Sequence, residues 1–340
     1  LKSKYIDPAD AKIAKKLNSI KSSKALSVKI EDKTGADQIY IRTLTKVNVK
    51  KPTPIWMQRR IEKCGMRSIS LAVDITNYVM LELGQPLHAF DADLVDGGLR
   101  VVRAGKFSKL TTLDKVERKL SPENLLIADS KSALALAGTM GGLASEVTSS
   151  TTRIALEAAH FDPMSIAKNS RFHKLSSEAS RRIERNTDPA LSEIASARAA
   201  SLLMQLGGAE YVGTAQAVVP IKKRKAKILI AQISKFIGYN YTVKQVKEAL
   251  TLIGCKVTGS SAVLTVEIPT WRPDLITSAD FSEEIARLNG YELIPSRLPV
   301  GKSGGGLTQM QYRKRQIATM LADQGFSEVV NSPFVSQEMV

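Results

Sequence analysis

The sequence predicts a multidomain α+β protein in which a mixed-sheet domain precedes a small winged-helix-like α+β domain. A length of 340 residues exceeds what one ordinary hydrophobic core contains. Alternating apolar patterns typical of short strands recur between residues 26 and 159 and are interrupted by helical patterns. Residues 221–298 carry two helical patterns, a hairpin and a further helix, the order of a winged-helix module and of many other small α+β folds.

Composition narrows the class of partner. Lys and Arg outnumber Asp and Glu by 49 to 33, and the formal charge of +16 favours a polyanion, nucleic acid first and an anionic membrane second. No run approaches the roughly 18 apolar residues that a membrane span needs. The only cysteines, Cys64 and Cys255, build neither a disulfide framework nor a zinc site, which fits a reducing cytosol. Because the chain starts at Leu1, we expect a piece of a longer protein.

The first elements are a short amphipathic helix at residues 8–17 and a Lys- and Ser-rich linker up to residue 24. Alternation at residues 26–30 and 39–44 predicts two strands. Between residues 76 and 83 an apolar stretch predicts a buried helix, which Gly84 stops and Pro86 keeps from resuming. His88 would then lie on a fixed loop, as a candidate for chemistry or as a hydrogen-bonded structural residue.

Two features of the following strands suggest a pocket. Several short strands between residues 99 and 137 end in Gly141 and Gly142, where a ligand can approach the backbone or the chain simply turns. In the strand at residues 153–159, alternation puts Leu156 on one face and Glu157 on the other, between two alanines. Glu157 is therefore either the one polar group of a small pocket or a structural carboxylate paired with an arginine.

Residues 171–189 combine hydroxyls with arginines before a long Ala-rich helix that starts at Asp188 and Pro189 and that Gly207 and Gly208 end. These hydroxyls and arginines can cap a helix and form surface ion pairs, or the arginines can contact phosphates. The candidates are Ser176, Ser177, Ser180, Arg181, Arg182 and Arg185.

The small domain starts after a basic run at residues 221–227, which reads as a linker or the entry to a strand. Helices are predicted at 231–237, 242–253 and 281–288, with a hairpin at 256–268. Asp280, Glu283 and Glu284 share one helix face, and Asp274 precedes them. Such a cluster either binds a hard cation such as Mg²⁺ or complements the helix N-terminus.

The glycine-rich segment at residues 301–306 lacks the spacing of a phosphate-binding loop and reads as a flexible linker. A basic amphipathic helix is predicted at residues 308–323, and a strand at residues 326–330.

Several motifs together resemble the beta subunit of bacterial phenylalanyl-tRNA synthetase. They occur in family order along almost the whole chain: DITNYV at 74–79, LGQPLHAFD at 83–91, ALAGTMGG at 135–142, LEAAHF at 156–161, EASRRIERNTDPAL at 178–191 and WRPD at 271–274. The resemblance implies a tail of the N-terminal region (1–25), an editing domain (26–220), the small domain (221–298), and a linker with the start of a synthetase-like domain (299–340).

The resemblance also implies an activity: hydrolysis of tyrosine from mischarged tRNA(Phe). In that case Glu157 recognises the phenol and His88 orients the ester or the attacking water. Ser177, at a position where the family usually has Thr, belongs to the same catalytic set. Gly141 forms the pocket wall, and Ala179 sets the pocket size.

Further implications concern cofactors and partners. Asp274, Asp280, Glu283 and Glu284 match a Mg²⁺ site near the border with an alpha subunit. That alpha subunit would bind ATP and transfer phenylalanine to tRNA(Phe) within a cytoplasmic α₂β₂ tetramer. The alternative is a noncatalytic tRNA-binding or scaffolding piece whose pocket is inert or binds a free amino acid.

Overall fold

A computed structural model describes residues 10–20, 22, 24–260, 262–301 and 304–339 of the chain. The first two residues of the predicted helix at 8–17, Ser261 of the predicted hairpin, and Lys302 and Ser303 of the glycine-rich segment lie outside these residues. The chain divides into two compact units, Leu1–Leu293 and Ile294–Val340.

Eleven strands precede residue 220 in the described chain. In order they are β1 (Val28–Ile30), β2 (Ala36–Thr45), β3 (His88–Asp91), β4 (Leu99–Arg103), β5 (Lys109–Thr111), β6 (Glu117–Lys119), β7 (Leu125–Ala128), β8 (Ala133–Leu136), β9 (Met140–Gly141), β10 (Ile154–Phe161) and β11 (Glu210–Val218). Four of them form an antiparallel sheet in the order β11-β2-β10-β3. Five form a second sheet in the order β1-β4-β7-β8-β9, in which only β1 and β4 are parallel, and β5 pairs with β6. The predicted mixed sheet is confirmed.

Six α-helices accompany these sheets within the described residues: α1 (Asp10–Asn18), α2 (Ile55–Lys63), α3 (Leu71–Leu83), α4 (Pro163–Phe172), α5 (Glu178–Ile183) and α6 (Leu191–Gly207). The predicted ends of α3 and α6 are confirmed, because Gly84 and Gly208 have φ values of 81° and 69°, which only glycine adopts readily. Helix α4 was not predicted. Its signal was nevertheless present, since Asp162 caps the helix just before Pro163.

Two hydrophobic cores lie on opposite faces of the four-stranded sheet. On one face, Leu44 and Leu156 pack with residues of α2, α3 and α6. On the other face, Phe90 and Ala155 pack with Ile127 and other residues of the five-stranded sheet. The predicted alternation along β10 is confirmed, so the side chain of Glu157 belongs to the face between the two sheets.

The small domain has its own core. Its elements are β12 (Arg224–Leu229), α7 (Ile230–Ile237), α8 (Val243–Leu252), β13 (Lys256–Thr258), β14 (Val263–Ile268) and α9 (Ser278–Asn289). An antiparallel sheet of order β12-β14-β13 packs against the three helices around residues such as Leu264 and Phe281. The predicted order of helices and hairpin is confirmed, and the basic run leads into strand β12.

The second unit contains α10 (Gln309–Asp323), which Thr308 caps. The strand predicted at residues 326–330 was wrong: this stretch has no strand partner among the described residues, and a strand needs a hydrogen-bonded neighbour. Within the part of the chain that the structure describes, no helix is both long and apolar enough to cross a membrane.

Candidate functional site

His88 and Glu157 face each other on adjacent strands. The antiparallel register of β3 and β10 pairs these two residues directly, so their side chains emerge on the same face of the sheet with Cβ atoms about 5 Å apart. The prediction of a loop at His88 was wrong. After Pro86 the chain forms hydrogen bonds with β10, and His88 becomes the first residue of an edge strand.

The two side chains line a cavity of about 90 Å³ between the two sheets. Strands β3, β7, β8, β9 and β10 supply most of its wall, and helix α5 closes one side. The lining residues are Pro86, Leu87, His88, Ile127, Ala135, Leu136, Gly138, Thr139, Met140, Gly141, Glu157, Ala159, Phe161, Ala179 and Ile183. The wall is largely apolar, so the carboxyl group and the imidazole are its distinctive polar groups.

Glu157 is buried without a counterion. Its exposed fraction is 7%, and it has no hydrogen-bond or ion-pair partner among the described residues. Loss of hydration disfavours the charged form, and this burial raises the pKa of Glu157 to about 8. The arginine-paired alternative is therefore absent from the described structure, and the carboxyl group is mostly protonated at neutral pH.

His88 is a neutral imidazole at neutral pH. Burial lowers its pKa to about 4, because the cavity disfavours the imidazolium ion. Its ring packs edge to face against Phe90, with the ring centroids 4.5 Å apart. Nε2 is buried and has no hydrogen-bond partner among the described residues. This nitrogen is thus available to a ligand that enters the cavity.

Gly141 occupies a position with no room for a side chain. A Cβ atom built there would lie 2.5 Å from Cε1 and 2.7 Å from Nε2 of His88, well inside van der Waals contact. At Gly142 the same atom would lie 2.4 Å from the carbonyl oxygen of Leu134. Both glycines are therefore required by close packing, and the one at 141 leaves space for the imidazole.

Of the two site residues predicted at the start of helix α5, Ser177 and Ala179, only Ala179 lies at the cavity. Ala179 lines the wall, as does Ile183 one turn later. Ser177 caps the helix instead: its Oγ accepts a hydrogen bond from the N–H of Ser180 at 3.1 Å, and its own N–H donates to Oγ of Ser180 at 3.0 Å. Ser177 is not among the lining residues, and its catalytic role stays a prediction.

The four acids of the small domain have protein partners. The guanidinium of Arg272 contacts Asp274 at 2.6 Å and Glu284 at 2.8 Å, and Arg287 contacts Glu284 at 2.6 Å. The hydrogen bond from Arg272 is the main reason why the pKa of Asp274 is lowered. For Glu284, burial acts to raise the pKa, but the bonds from Arg287 and Arg272 outweigh it and the pKa is lowered.

Asp280 and Glu283 point to other partners. Asp280 accepts backbone hydrogen bonds from Thr277 at 2.6 Å and Ile276 at 2.9 Å, which lower the pKa of its carboxyl group and cap α9. Glu283 accepts a hydrogen bond from the hydroxyl of Tyr291. In the described residues no three acidic, His or Cys side chains form a group that could hold a metal ion. Each of the four acids thus has a partner within the chain, and the predicted Mg²⁺ site stays a prediction.

Sequence reasoning missed most of the apolar wall. Phe161 continues the alternation that identified Glu157 and Ala159, so the strand pattern could have identified it. Met140 and Ile127 carry no such signal, because the strand of Met140 has only two residues and the strand of Ile127 is buried on both faces. The assembled wall forms a small apolar chamber that can hold a ring, with a carboxyl group and an imidazole to hydrogen-bond polar atoms.

The comparison with protein families first gives the class of protein. Residues 35–208, more than half of the chain, match the B3/4 domain family. Residues 226–291 match the tRNA synthetase B5 domain, and residues 294–340 match the phenylalanyl tRNA synthetase beta chain CLM domain. These three domains in this order define a chain of the aminoacyl-tRNA synthetase class.

The particular family follows from the relatives. The chain is 44% identical to the phenylalanine–tRNA ligase beta subunit of Streptomyces avermitilis over 316 residues, covering 92% of this chain and 38% of the relative. The corresponding subunit of Corynebacterium glutamicum is 41% identical over 340 residues, covering 98% of this chain and 40% of the relative. The chain belongs to the phenylalanine–tRNA ligase beta-subunit family and spans about two fifths of the length of these curated relatives.

A solved N-terminal fragment of the phenylalanyl-tRNA synthetase beta subunit from Pyrococcus horikoshii is also similar. It is 13% identical, with a TM-score of 0.36, and the match covers 78% of this chain and 75% of that one. This similarity is too low to add to the family assignment.

Proposed function

We propose that this chain is the proofreading part of a phenylalanine–tRNA ligase beta subunit and hydrolyses tyrosine from mischarged tRNA(Phe). The observation that supports the proposal is the pairing of Glu157 with His88 inside one cavity. A carboxyl group without a protein partner is suited to a hydroxyl on the ligand, and the imidazole opposite is suited to the bond that is cut.

The need for such a site is physical. An apolar pocket built for phenylalanine cannot strongly reject tyrosine, because an added hydroxyl costs only about 10²-fold in discrimination. A second site that requires the hydroxyl corrects the error. In this account the synthetic site admits both amino acids, and the cavity at Glu157 selects tyrosine for removal.

Glu157 would read the phenol. As a protonated carboxyl group it can both donate to and accept from the tyrosine hydroxyl. Phenylalanine offers no partner and would leave the buried carboxyl group unsatisfied, at a cost of about 1–3 kcal/mol, which corresponds to roughly 5- to 150-fold in rate. This penalty protects the correctly charged ester.

His88 would orient the ester or the attacking water. A base with a pKa of about 4 removes a proton poorly at neutral pH, since efficient general bases have a pKa near the working pH. Its free Nε2 can still hold a water or an ester group by one hydrogen bond. We therefore assign His88 a positioning role, with water attacking the carbonyl carbon and the ribose oxygen leaving with a proton.

The cavity is small, so a side chain of its wall would have to move before a phenol ring could enter. A volume of about 90 Å³ is smaller than the engineered cavity of about 150 Å³ that binds benzene. Met140 lines the cavity, is half-buried, and has an unbranched side chain that adapts readily to a new neighbour. Admission of the phenol ring would displace this side chain.

The synthetic reaction would take place on another subunit. Activation of phenylalanine with ATP and Mg²⁺, and its transfer to tRNA(Phe), would take place on an alpha subunit that pairs with the beta subunit in an α₂β₂ tetramer. This chain would support that reaction by assembly and by removal of errors. The net charge of +16 favours the RNA partner.

Deacylation of two esters tests the proposal. Wild-type chain should hydrolyse tyrosyl-tRNA(Phe) faster than phenylalanyl-tRNA(Phe), and Glu157→Ala should reduce this preference at least fivefold. Glu210→Gln is the matched control, because that carboxylate pairs with Lys46 on the surface, 59% exposed. The preference should be unchanged in the control.

Other outcomes are informative as well. Equal hydrolysis of both esters by wild type and Glu157→Ala would contradict the assigned role of Glu157. Binding of free tyrosine without hydrolysis of either ester, in the chain and in the assembled ligase, would favour the noncatalytic alternative.

A further inference from the structure

Two larger cavities lie beside the hydrolytic one, and both are rich in cations. The first, of about 470 Å³, is lined by Gly84, Glu178, Arg181, Arg182, Arg185, Asn186 and Thr187. The second, of about 540 Å³, is lined by His160, Asn186, Pro189, Ile221, Lys222, Lys223, Arg224, Gly254, Lys256, Glu267, Ile268, Pro269, Thr270, Trp271 and Pro273. We call the two together the cationic track.

Asn186 joins the two cavities, because it lines both. Its backbone has a φ of 68°, in the left-handed region that Asn tolerates better than most residues. Its side-chain oxygen contacts Nε2 of His160 at 3.0 Å, and Nδ1 of His160 contacts Asp37 at 2.7 Å. The junction between the arginine end and the lysine end of the track is thus held in a defined conformation.

Positive charge exceeds negative charge along the track. Seven Lys and Arg side chains line it, against two carboxylates. Arg182 pairs with Glu178 at 2.5 Å, while Glu267 is shared by Lys223 at 3.6 Å and Lys256 at 3.9 Å. Glu184, just outside the lining, pairs with Arg185 at 3.5 Å. These three acids cannot neutralise seven cations, so the surface attracts an extended polyanion.

The track reaches the wall of the hydrolytic cavity at α5. Ala179 and Ile183, which are four residues apart and share one helix face, line the hydrolytic cavity. Arg181 lies on a different face of α5, Arg185 lies in the turn just after the helix, and both line the track. One short helix therefore separates a chain of cations from the proposed site of ester cleavage.

We propose that the cationic track binds the phosphate backbone of the RNA whose ester is hydrolysed. This inference rests on the proposed function and adds the surface that binds the polynucleotide. A lipid surface shares the anionic chemistry, but a flat bilayer cannot follow the recessed lysine-lined cavity as a single strand can. The backbone of a nucleic-acid strand carries one negative charge at every phosphate and can follow such a groove.

Salt-dependent binding of uncharged tRNA(Phe) tests the track apart from the chemistry. Lys222→Ala/Lys223→Ala should weaken binding by roughly tenfold and reduce the slope of log affinity against log salt by about 1.5, since each phosphate contact contributes about 0.7–0.9. The matched control is Lys109→Ala/Lys131→Ala, two lysines off the track with 67% and 77% exposed side chains. The control should keep the wild-type slope.

Steady-state kinetics distinguish a role of the track in RNA binding from a role in ester cleavage. Arg181→Ala, which leaves Glu178 paired with Arg182, should raise KM for tyrosyl-tRNA(Phe) several-fold with little change in kcat. Hydrolysis of the tyrosyl ester of adenosine, which carries no RNA backbone, should be unaffected by either track variant.

The outcomes distinguish two failures. The proposed RNA-binding role of the track would be contradicted if the slope of log affinity against log salt were the same for wild type, Lys222→Ala/Lys223→Ala and the control. It would also be contradicted if the chain bound anionic vesicles but not tRNA. Altered tRNA binding without any hydrolysis would keep the track and overturn the proposed function instead.

Discussion

Glu157 lies directly opposite His88 across two antiparallel strands, although 69 residues separate them in the chain. The two groups are shifted toward their neutral forms by the same burial, with pKa values of about 8 for the acid and about 4 for the base. The cavity is therefore uncharged over most of the range between these values. A neutral site suits a neutral ligand such as a phenol and an ester.

Stability should depend on the ionisation of Glu157. Its pKa is raised from 4.5 to about 8 in the folded state, so stability is fully present below pH 4.5 and is lost as the pH rises toward 8. Glu157→Gln removes this loss. The free energy of unfolding of Glu157→Gln relative to wild type should rise between pH 4.5 and 9 by an amount on the order of 5 kcal/mol. Urea unfolding at several pH values measures it, and a pH-independent difference would contradict the buried, unpaired carboxyl group.

The three histidines should titrate differently. Burial lowers the pKa of His88 to about 4 and lowers that of His173. The pKa of His160 is raised: burial opposes this, but Asp37 and Asn186 hold its charged form and outweigh it. NMR titration of the imidazole signals should show one histidine above 6.5 and two below, with single His→Gln variants for assignment. A His88 signal that titrates near 6.5 would indicate a hydrated imidazole.

Gly141 should be intolerant of a methyl group. Gly141→Ala would bring Cβ to 2.5 Å from the ring of His88, so we expect about 1–3 kcal/mol of destabilisation and a displaced imidazole with slow ester hydrolysis. Gly305→Ala is the matched control, because a Cβ there meets nothing within 4 Å. Thermal unfolding and deacylation measure both effects. Wild-type hydrolysis by Gly141→Ala would mean that the ring position is unimportant.

Magnesium should have little effect on the stability of the small domain. Arg272 already neutralises Asp274 and Glu284, and Asp280 caps a helix, so removal of that cap in Asp280→Ala should cost about 1 kcal/mol with or without Mg²⁺. Thermal unfolding at millimolar Mg²⁺ checks this. A Mg²⁺-dependent rise in Tm that disappears in Asp280→Ala would instead support the predicted metal site.

Local signals made part of the site predictable from sequence. Gly84 and Pro86 defined the end of α3, and alternation along β10 oriented Glu157 toward the sheet interface. The family resemblance added Gly141 and Ala179, both of which line the cavity. These features depend on residues close together in the chain, where periodicity and backbone preference are informative.

Contacts between distant segments were not predictable in this way. The strand at His88 exists only because β10 pairs with it. The four carboxylates that suggested a cation also have partners that no sequence pattern indicated: Arg272, a helix N-terminus and Tyr291. A sequence pattern shows which residues can share a face. It does not show which residues from distant parts of the chain contact them in the folded protein.

A structure with a non-hydrolysable tyrosyl ester analogue bound would show whether Glu157 recognises the phenol and His88 the ester. We expect the phenol oxygen at about 2.5–3.0 Å from the Glu157 carboxyl group and a polar atom of the ester within hydrogen-bond distance of Nε2 of His88. A ligand bound elsewhere, or bound in this cavity with its phenol directed away from Glu157, would contradict it.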